Sequence, residues 1–127
     1  MLRDESTTDP ELDEVDEPEP ERWLRCRGCG APITRHGERI GDSADLGIHG
    51  GAFVNPHGYL HELEPFVSAA GAQEIGPSEA RDSWFSGYAW TMAHCRACGS
   101  HLGWSFDAID DRSPPRFWGL RTASLSG

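Results

Sequence analysis

Cys26-Arg27-Gly28-Cys29-Gly30 and Cys95-Arg96-Ala97-Cys98-Gly99 contain all four cysteines of the 127-residue chain. A Cys-x-x-Cys turn brings two thiolates to one side of a tight bend. Two such turns, far apart in sequence, read as a single site with four sulfur ligands. Tetrahedral thiolate coordination points to one zinc ion held by Cys26, Cys29, Cys95 and Cys98. The glycine after each pair lets the chain turn back so that backbone N–H groups face the sulfurs. Four thiolates leave no position for a substrate or a water, so the zinc is expected to be structural. The alternatives are disulfides, a redox pair or free thiols. The matched glycines favour metal, and the polar stretch from Met1 to Glu21 has no charged-then-apolar signal segment leading to an oxidising compartment. No apolar run approaches membrane-spanning length, so a soluble, intracellular and cytoplasmic protein is expected.

The second chemical concentration is aromatic. Of the five tryptophans, Trp84, Trp90 and Trp104 flank the second knuckle. A strand period of two puts Tyr88, Trp90 and Met92 on one face and Ala89, Thr91 and Ala93 on the other. The same period groups Leu102, Trp104 and Phe106. Since the knuckle joins these two strands, Trp90 and Trp104 are expected to face each other, with Trp84 as a third wall. Rigid, large aromatics suit a ligand cage and a packed core equally. Trp23 and Trp118 are read as core; for the other three both readings stand on spacing alone.

These residues must be positioned by a small domain. Residues 1–21 carry ten acidic side chains against Arg3, which leaves the other residues nearly neutral within a net charge of −10. With three prolines and few aliphatics, that stretch reads as a disordered acidic tail. Residues 22–124 then form one domain, rich in Gly and Pro, with no sustained helical period, hence mostly β. Strand pairs are expected at 52–54 with 59–61 around the turn 55–58, and at 84–85 with 88–95 around Ser86-Gly87. Further strands are expected at 65–70, 72–75, 101–106 and 117–120, with a loop over 41–51. Helix is confined to a turn or two near Ser78–Arg81. A core this small needs a staple, and the metal supplies it.

Asn55-Pro56-His57-Gly58-Tyr59, Ser83-Trp84-Phe85 with Gly87-Tyr88-Ala89-Trp90-Thr91, Cys98 followed by Ser100-His101-Leu102-Gly103-Trp104, and Arg116-Phe117-Trp118-Gly119-Leu120 resemble the thalidomide-binding (CULT) domain of the cereblon type. The resemblance runs from Arg22 to Ser124. It implies a β-tent of two antiparallel sheets pinned by one four-cysteine zinc site. It also implies a tri-tryptophan cage for cyclic imides: glutarimides, thalidomide-type ligands, imides at protein C-termini and uridine-like rings. On this chain the cage walls are Trp84, Trp90 and Trp104, with Phe106 at the base. The imide edge would meet the C=O of Asp82 and the N–H of Trp84, with Ser83 between them in the site. Asn55, Pro56 and His57 would form the rim. Asp82 stands where the eukaryotic proteins carry histidine, giving an acidic rim. The chain lacks the protease-like and helical parts that join cereblon to a ubiquitin ligase. It is therefore expected to be a stand-alone, bacterial member without a ligase adaptor.

Rival classes fit less well. A zinc-containing methionine sulfoxide reductase would need a further cysteine as nucleophile. A nucleic-acid-binding zinc domain would need a basic face, which a near-neutral domain with an acidic tail does not offer. The serious alternative is an aromatic cage for methylated or quaternary ammonium ligands. No histidine is assigned to the metal, and no nucleophile–base constellation marks an enzyme.

Overall fold

The computed structural model describes residues 18–41 and 47–127. Within them nine strands pair antiparallel in two sheets, as the mostly β reading requires. β1 (Trp23–Cys26) and β2 (Pro32–Arg35) form a hairpin around the first knuckle, and β9 (Leu125–Ser126) pairs with the other edge of β1. The second sheet contains β3 (Gly51–Val54), β4 (Leu60–Phe66), β5 (Ala72–Glu79), β6 (Tyr88–Cys95), β7 (His101–Ala108) and β8 (Arg116–Arg121). Its order is β3-β4-β8-β7-β6-β5. Among the described residues, helix is limited to the 3₁₀ turns Glu19–Glu21, His36–Glu38 and Thr122–Ser124.

Two apolar clusters form, and strand alternation divides β6 and β8 between them. Phe117 joins Tyr88, Phe85, Trp104, Phe106, Leu63 and Ile48, with Trp90 and Met92 packed against this group. Trp118 and Leu120 join Ala93, Cys95, Leu102, Phe66 and the β1–β2 residues Leu24, Cys26 and Ile33. The second cluster bonds the small sheet to the large one, and each fully buried Leu, Ile or Phe contributes about 1.5–3 kcal/mol. The first cluster forms the floor beneath the aromatic cavity. Phe85 is its hinge point, packing edge-on against Phe106 and Phe117 at 4.9 and 5.1 Å between ring centres.

Several local expectations change. Leu102 does not share the face of Trp104 and Phe106; it lies in the cluster with Ala93 and Cys95. The pairing shifts between Ala93 and His94, placing an extra residue on β7, and it is His101 that packs against Trp104. Residues 67–70 are not strand, because β4 ends at Phe66 and the chain bends to start β5 at Ala72. In place of the expected helical turn near 78–81, β5 runs to Glu79, which re-pairs with Trp90 after an irregular stretch, and Arg81 enters a turn. Trp84 and Phe85 precede β6 without forming a strand. Trp23 is half-buried outside both clusters, beneath the Arg35 guanidinium at 4.7 Å. At the amino end, residues 1–17 of the expected tail lie outside the described residues, as do 42–46 of the expected loop. Residues 19–21, counted with the tail, form a 3₁₀ turn whose Pro20 lies against Gly37.

Candidate functional site

The two knuckles have the same backbone construction. In the first, Gly30 N–H donates to Cys26 O and Cys26 N–H to Ala31 O, at 2.7 and 2.8 Å. In the second, Gly99 N–H donates to Cys95 O and Cys95 N–H to Ser100 O, both at 2.8 Å. Gly30 and Gly99 sit at φ 81° and 82°, a left-handed conformation that a side chain would strain. The arginine after the first cysteine of each pair fastens the knuckle to a neighbouring segment. Arg27 bonds Ser124 O and Leu125 O, while Arg96 bonds Gly71 O and Ala70 O.

This construction brings Cys26, Cys29, Cys95 and Cys98 together, with all four sulfurs within 4.8 Å of one another. Cys26 and Cys98 lie 3.7 Å apart, as do Cys29 and Cys95. A disulfide would require about 2.05 Å. Sulfurs about 2.3 Å from one tetrahedral ion are separated by about 3.8 Å, so the spacing fits a metal. The Ser100 hydroxyl, 3.0 Å from Cys98, and then the Ser100 N–H pull that thiol down to about 6. Cys29 accepts the N–H of Ala31, which favours its thiolate, yet desolvation and the three other sulfurs push it up to about 12. Four convergent sulfurs can all ionise only around a cation. Among the described residues no other group of three or more metal-ligating side chains converges.

A cavity of about 640 Å³ opens on the face of the large sheet occupied by Trp90 and Trp104. Direct cross-strand pairing sets Trp90 opposite Phe106 and Met92 opposite Trp104, so Trp90 and Trp104 are diagonal neighbours on one face. Trp84 meets Trp104 edge-on at 4.8 Å and stacks on Phe53 at 5.4 Å. Its indole N–H donates to Val54 O at 2.9 Å, tying this wall to β3. The indole N–H of Trp90 donates to Arg81 O at 2.8 Å. With both N–H groups occupied, these indoles offer mainly apolar faces.

Asn55, Pro56, His57, Asp82, Trp84, Trp90, Trp104 and Phe106 all line the cavity. Ser83 does not; its hydroxyl bonds within the chain to Phe85 O and Phe85 N–H. Asn55 Oδ1 accepts the N–H groups of His57 and Tyr59, so that oxygen shapes the rim turn. Asp82 holds φ at 61°, an uncommon conformation for a side chain other than glycine. Among the described residues neither the Asp82 C=O nor the Trp84 N–H has a hydrogen-bond partner.

The cavity also recruits Tyr59, His61, Glu79, Arg81, Met92 and His101, none of which had been assigned to the site. Tyr59 and His61 continue the period of two from His57 along the entry to β4, and Met92 continues it from Trp90. His101 lies 4.8 Å from Trp104 and His61 lies 5.1 Å from it, both edge-on. Burial, opposed by a hydrogen bond to Gly103 O, lowers His101 to about 4, and burial also lowers His61. Both rings are therefore neutral at pH 7. The buried His61 Nδ1 has no hydrogen-bond partner.

The fold and site together define an antiparallel β domain with a four-cysteine cluster at metal-binding spacing and an aromatic-walled cavity on one sheet face. No protein-family model matches the chain. Cereblon of Danio rerio is 51% identical over 106 residues, covering 80% of this chain and 24% of that protein. Cereblon of Xenopus tropicalis is 49% identical over 75 residues, covering 58% and 17%. Cereblon of Drosophila melanogaster is 30% identical over 105 residues, covering 79% and 17%. The chain contains a cereblon-type domain and spans about a quarter or less of these relatives. All three are animal proteins, which gives the expected bacterial origin no support. No helix among the described residues is long and apolar enough to cross a membrane.

Proposed function

We propose that the cavity binds the free edge of a cyclic imide, with a structural zinc holding the domain together at Cys26, Cys29, Cys95 and Cys98. The observation that carries this reading is the combination of indole walls with an unpaired C=O at Asp82 and an unpaired N–H at Trp84. A glutarimide ring has methylene edges suited to indole faces and an acceptor–donor–acceptor edge suited to main-chain groups. In this reading the imide N–H donates to Asp82 O, and one imide carbonyl accepts the Trp84 N–H. Substituents leave past Asn55, Pro56 and His57. Glutarimides, thalidomide-type compounds and C-terminal cyclic imides of proteins share this edge, as do uridine-like rings.

The domain acts as a binder, not an enzyme, in this reading. Among the described residues, no Ser, Cys or carboxylate is hydrogen-bonded to the side chain of His57, His61 or His101. One observation favours a second reading, a cage for ammonium ions: Glu79 and Asp82 line the cavity without an ion-pair partner among the described residues. Arg81 on the same rim offsets one of those charges.

Titration with glutarimide and N-methylglutarimide, followed by tryptophan fluorescence, tests the proposal. The free imide should bind and the methylated one should not. Methylation removes the only donor and leaves Asp82 O unpaired, costing about 1–3 kcal/mol before any clash. Equal binding of the two compounds, or binding of tetramethylammonium with none of the imide, overturns the imide reading.

A further inference from the structure

The Trp84 wall is carried by a segment with little backbone bonding of its own. Residues 81 and 82 form a turn and residues 83–85 belong to no strand. The following turn, Ser86-Gly87, is closed by Tyr88 N–H donating to Phe85 O at 3.1 Å and is fastened from outside as well, by the loop between β7 and β8. Arg112 in that loop donates from Nη1 to Ser86 O at 2.9 Å. Its Nε and Nη2 clasp both carboxylate oxygens of Asp110 at 2.8 and 2.9 Å, while its own backbone N–H reaches Asp110 Oδ1 at 3.0 Å. Such a two-toothed clasp fixes the plane of the guanidinium.

The guanidinium packs directly against Gly87. A Cβ added there would come within 2.1 Å of Arg112 Cζ, so the approach requires glycine. The guanidinium also lies 5.8 Å from the centre of the Tyr88 ring. Ile109 N–H donates to Gly87 O at 3.0 Å, and Tyr88 hydroxyl donates to Pro114 O at 2.8 Å. None of Ser86, Gly87, Asp110 and Arg112 lines the cavity.

We infer that Arg112, oriented by Asp110, is a positioning residue of the cage: it latches the Ser86-Gly87 turn and so keeps the Trp84 wall in place before a ligand arrives. The function of such a latch is preorganisation. If the wall is in place only part of the time, apparent affinity falls by that fraction, although every contact to the ligand is unchanged. The Arg112 hydrogen bond holds Asp110 at about 2, so the clasp stays charged from mildly acidic pH upward.

The ligand consequence rests on the imide reading, whereas the latch itself can be tested without ligand. In the zinc-loaded apo protein, Arg112→Ala should speed hydrogen exchange at the Trp84 indole N–H and the Ile109 amide by roughly 3- to 10-fold, the worth of one or two partly exposed hydrogen bonds. The Cys95 and Gly99 amides of the knuckle should be unaffected, and glutarimide affinity should fall by a similar factor. Arg112→Lys retains one donor without the planar clasp and should recover part of both effects. Asp110→Asn should reproduce part of the loss and serves if Arg112→Ala does not fold. Unchanged exchange at Trp84 in folded Arg112→Ala overturns the inference. So does an acceleration shared by the knuckle amides, which would mean a general loss of stability. If wild-type protein fails to bind glutarimide, the imide reading falls while the exchange data still decide the latch.

Discussion

Trp90 and Phe106 are direct cross-strand partners, yet their burial separates their roles. Phe106 is almost fully buried, stacked on Phe117 at 5.0 Å and edge-on to Phe85, whereas Trp90 is only partly buried over the cavity. Trp90→Ala should therefore weaken glutarimide binding by about 1–2 kcal/mol, the worth of leaving one or two ring methylenes uncovered at about 0.8 kcal/mol each, with zinc content unchanged. Phe106→Ala should lower folding stability by about 3–5 kcal/mol by leaving a cavity beneath the cage. Calorimetric titration and urea unfolding of both variants test the division; equal stability losses would refute it. His101 gives a pH prediction. Its folded pKa lies near 4, below the ordinary 6.5, chiefly through burial, with Arg121, His94 and His61 adding smaller positive influences. The unfolded chain therefore binds the proton first. Stability from the neutral ring is fully present above pH 6.5 and declines as pH falls toward 4, by on the order of 2 kcal/mol in all. Urea unfolding at pH 7.5 and 5.5 should show a smaller loss in His101→Gln than in wild type. Comparing the two at each pH removes the part due to zinc.

The knuckle hairpins show which elements a sequence can reveal. Cys-x-x-Cys-Gly encodes its own turn, so the positions of Cys26, Cys29, Cys95 and Cys98 follow from local chemistry, and the structure brings all four together. Period-two alternation placed Trp90 and Met92 correctly, because β6 is regular until its last turn. It misplaced Leu102, because the register shift beside His94 depends on how the knuckle enters β7 rather than on any local pattern. The segment carrying Trp84 was read as strand for a similar reason. Its aromatic pair looks like a strand, but Phe85 is claimed by the core and Ser83 folds back onto Phe85. Since the knuckles join the β1–β2 hairpin to the β6–β7 hairpin, chelating the metal should release the small sheet first. Cys26→Ser and Cys98→Ser should each abolish stoichiometric zinc and cost several kcal/mol, as expected where metal binding is coupled to folding. Metal analysis with circular dichroism decides it; a cooperatively folded, zinc-free variant with native stability would contradict the staple.

For the whole molecule, the mostly β architecture in two antiparallel sheets was legible from composition and motifs. The rest of the cavity wall was not, because Tyr59 and Arg81 reach it from two connections and His61, Glu79 and His101 from three different strands, which only the folded sheet brings together. Charge is distributed just as unevenly. Residues 1–17 hold eight acidic side chains against Arg3, a net −7 of the chain's −10. That asymmetry separates the two ligand readings without altering the cage. A neutral imide held by indole faces and two main-chain groups feels little of this field, so its affinity should change less than about two-fold between 50 and 500 mM salt. Deleting residues 1–17 should leave both affinity and zinc content equally unaffected. A cationic ligand drawn to Glu79, Asp82 and a distant negative field would lose affinity on both counts, since salt shortens the screening length from about 14 Å to about 4 Å over that range. Calorimetry of the full chain and the truncated one, at both salt concentrations and with glutarimide and tetramethylammonium side by side, measures this directly. Strong salt dependence of glutarimide binding, or its loss with residues 1–17, would mean that charge and not the imide edge governs recognition.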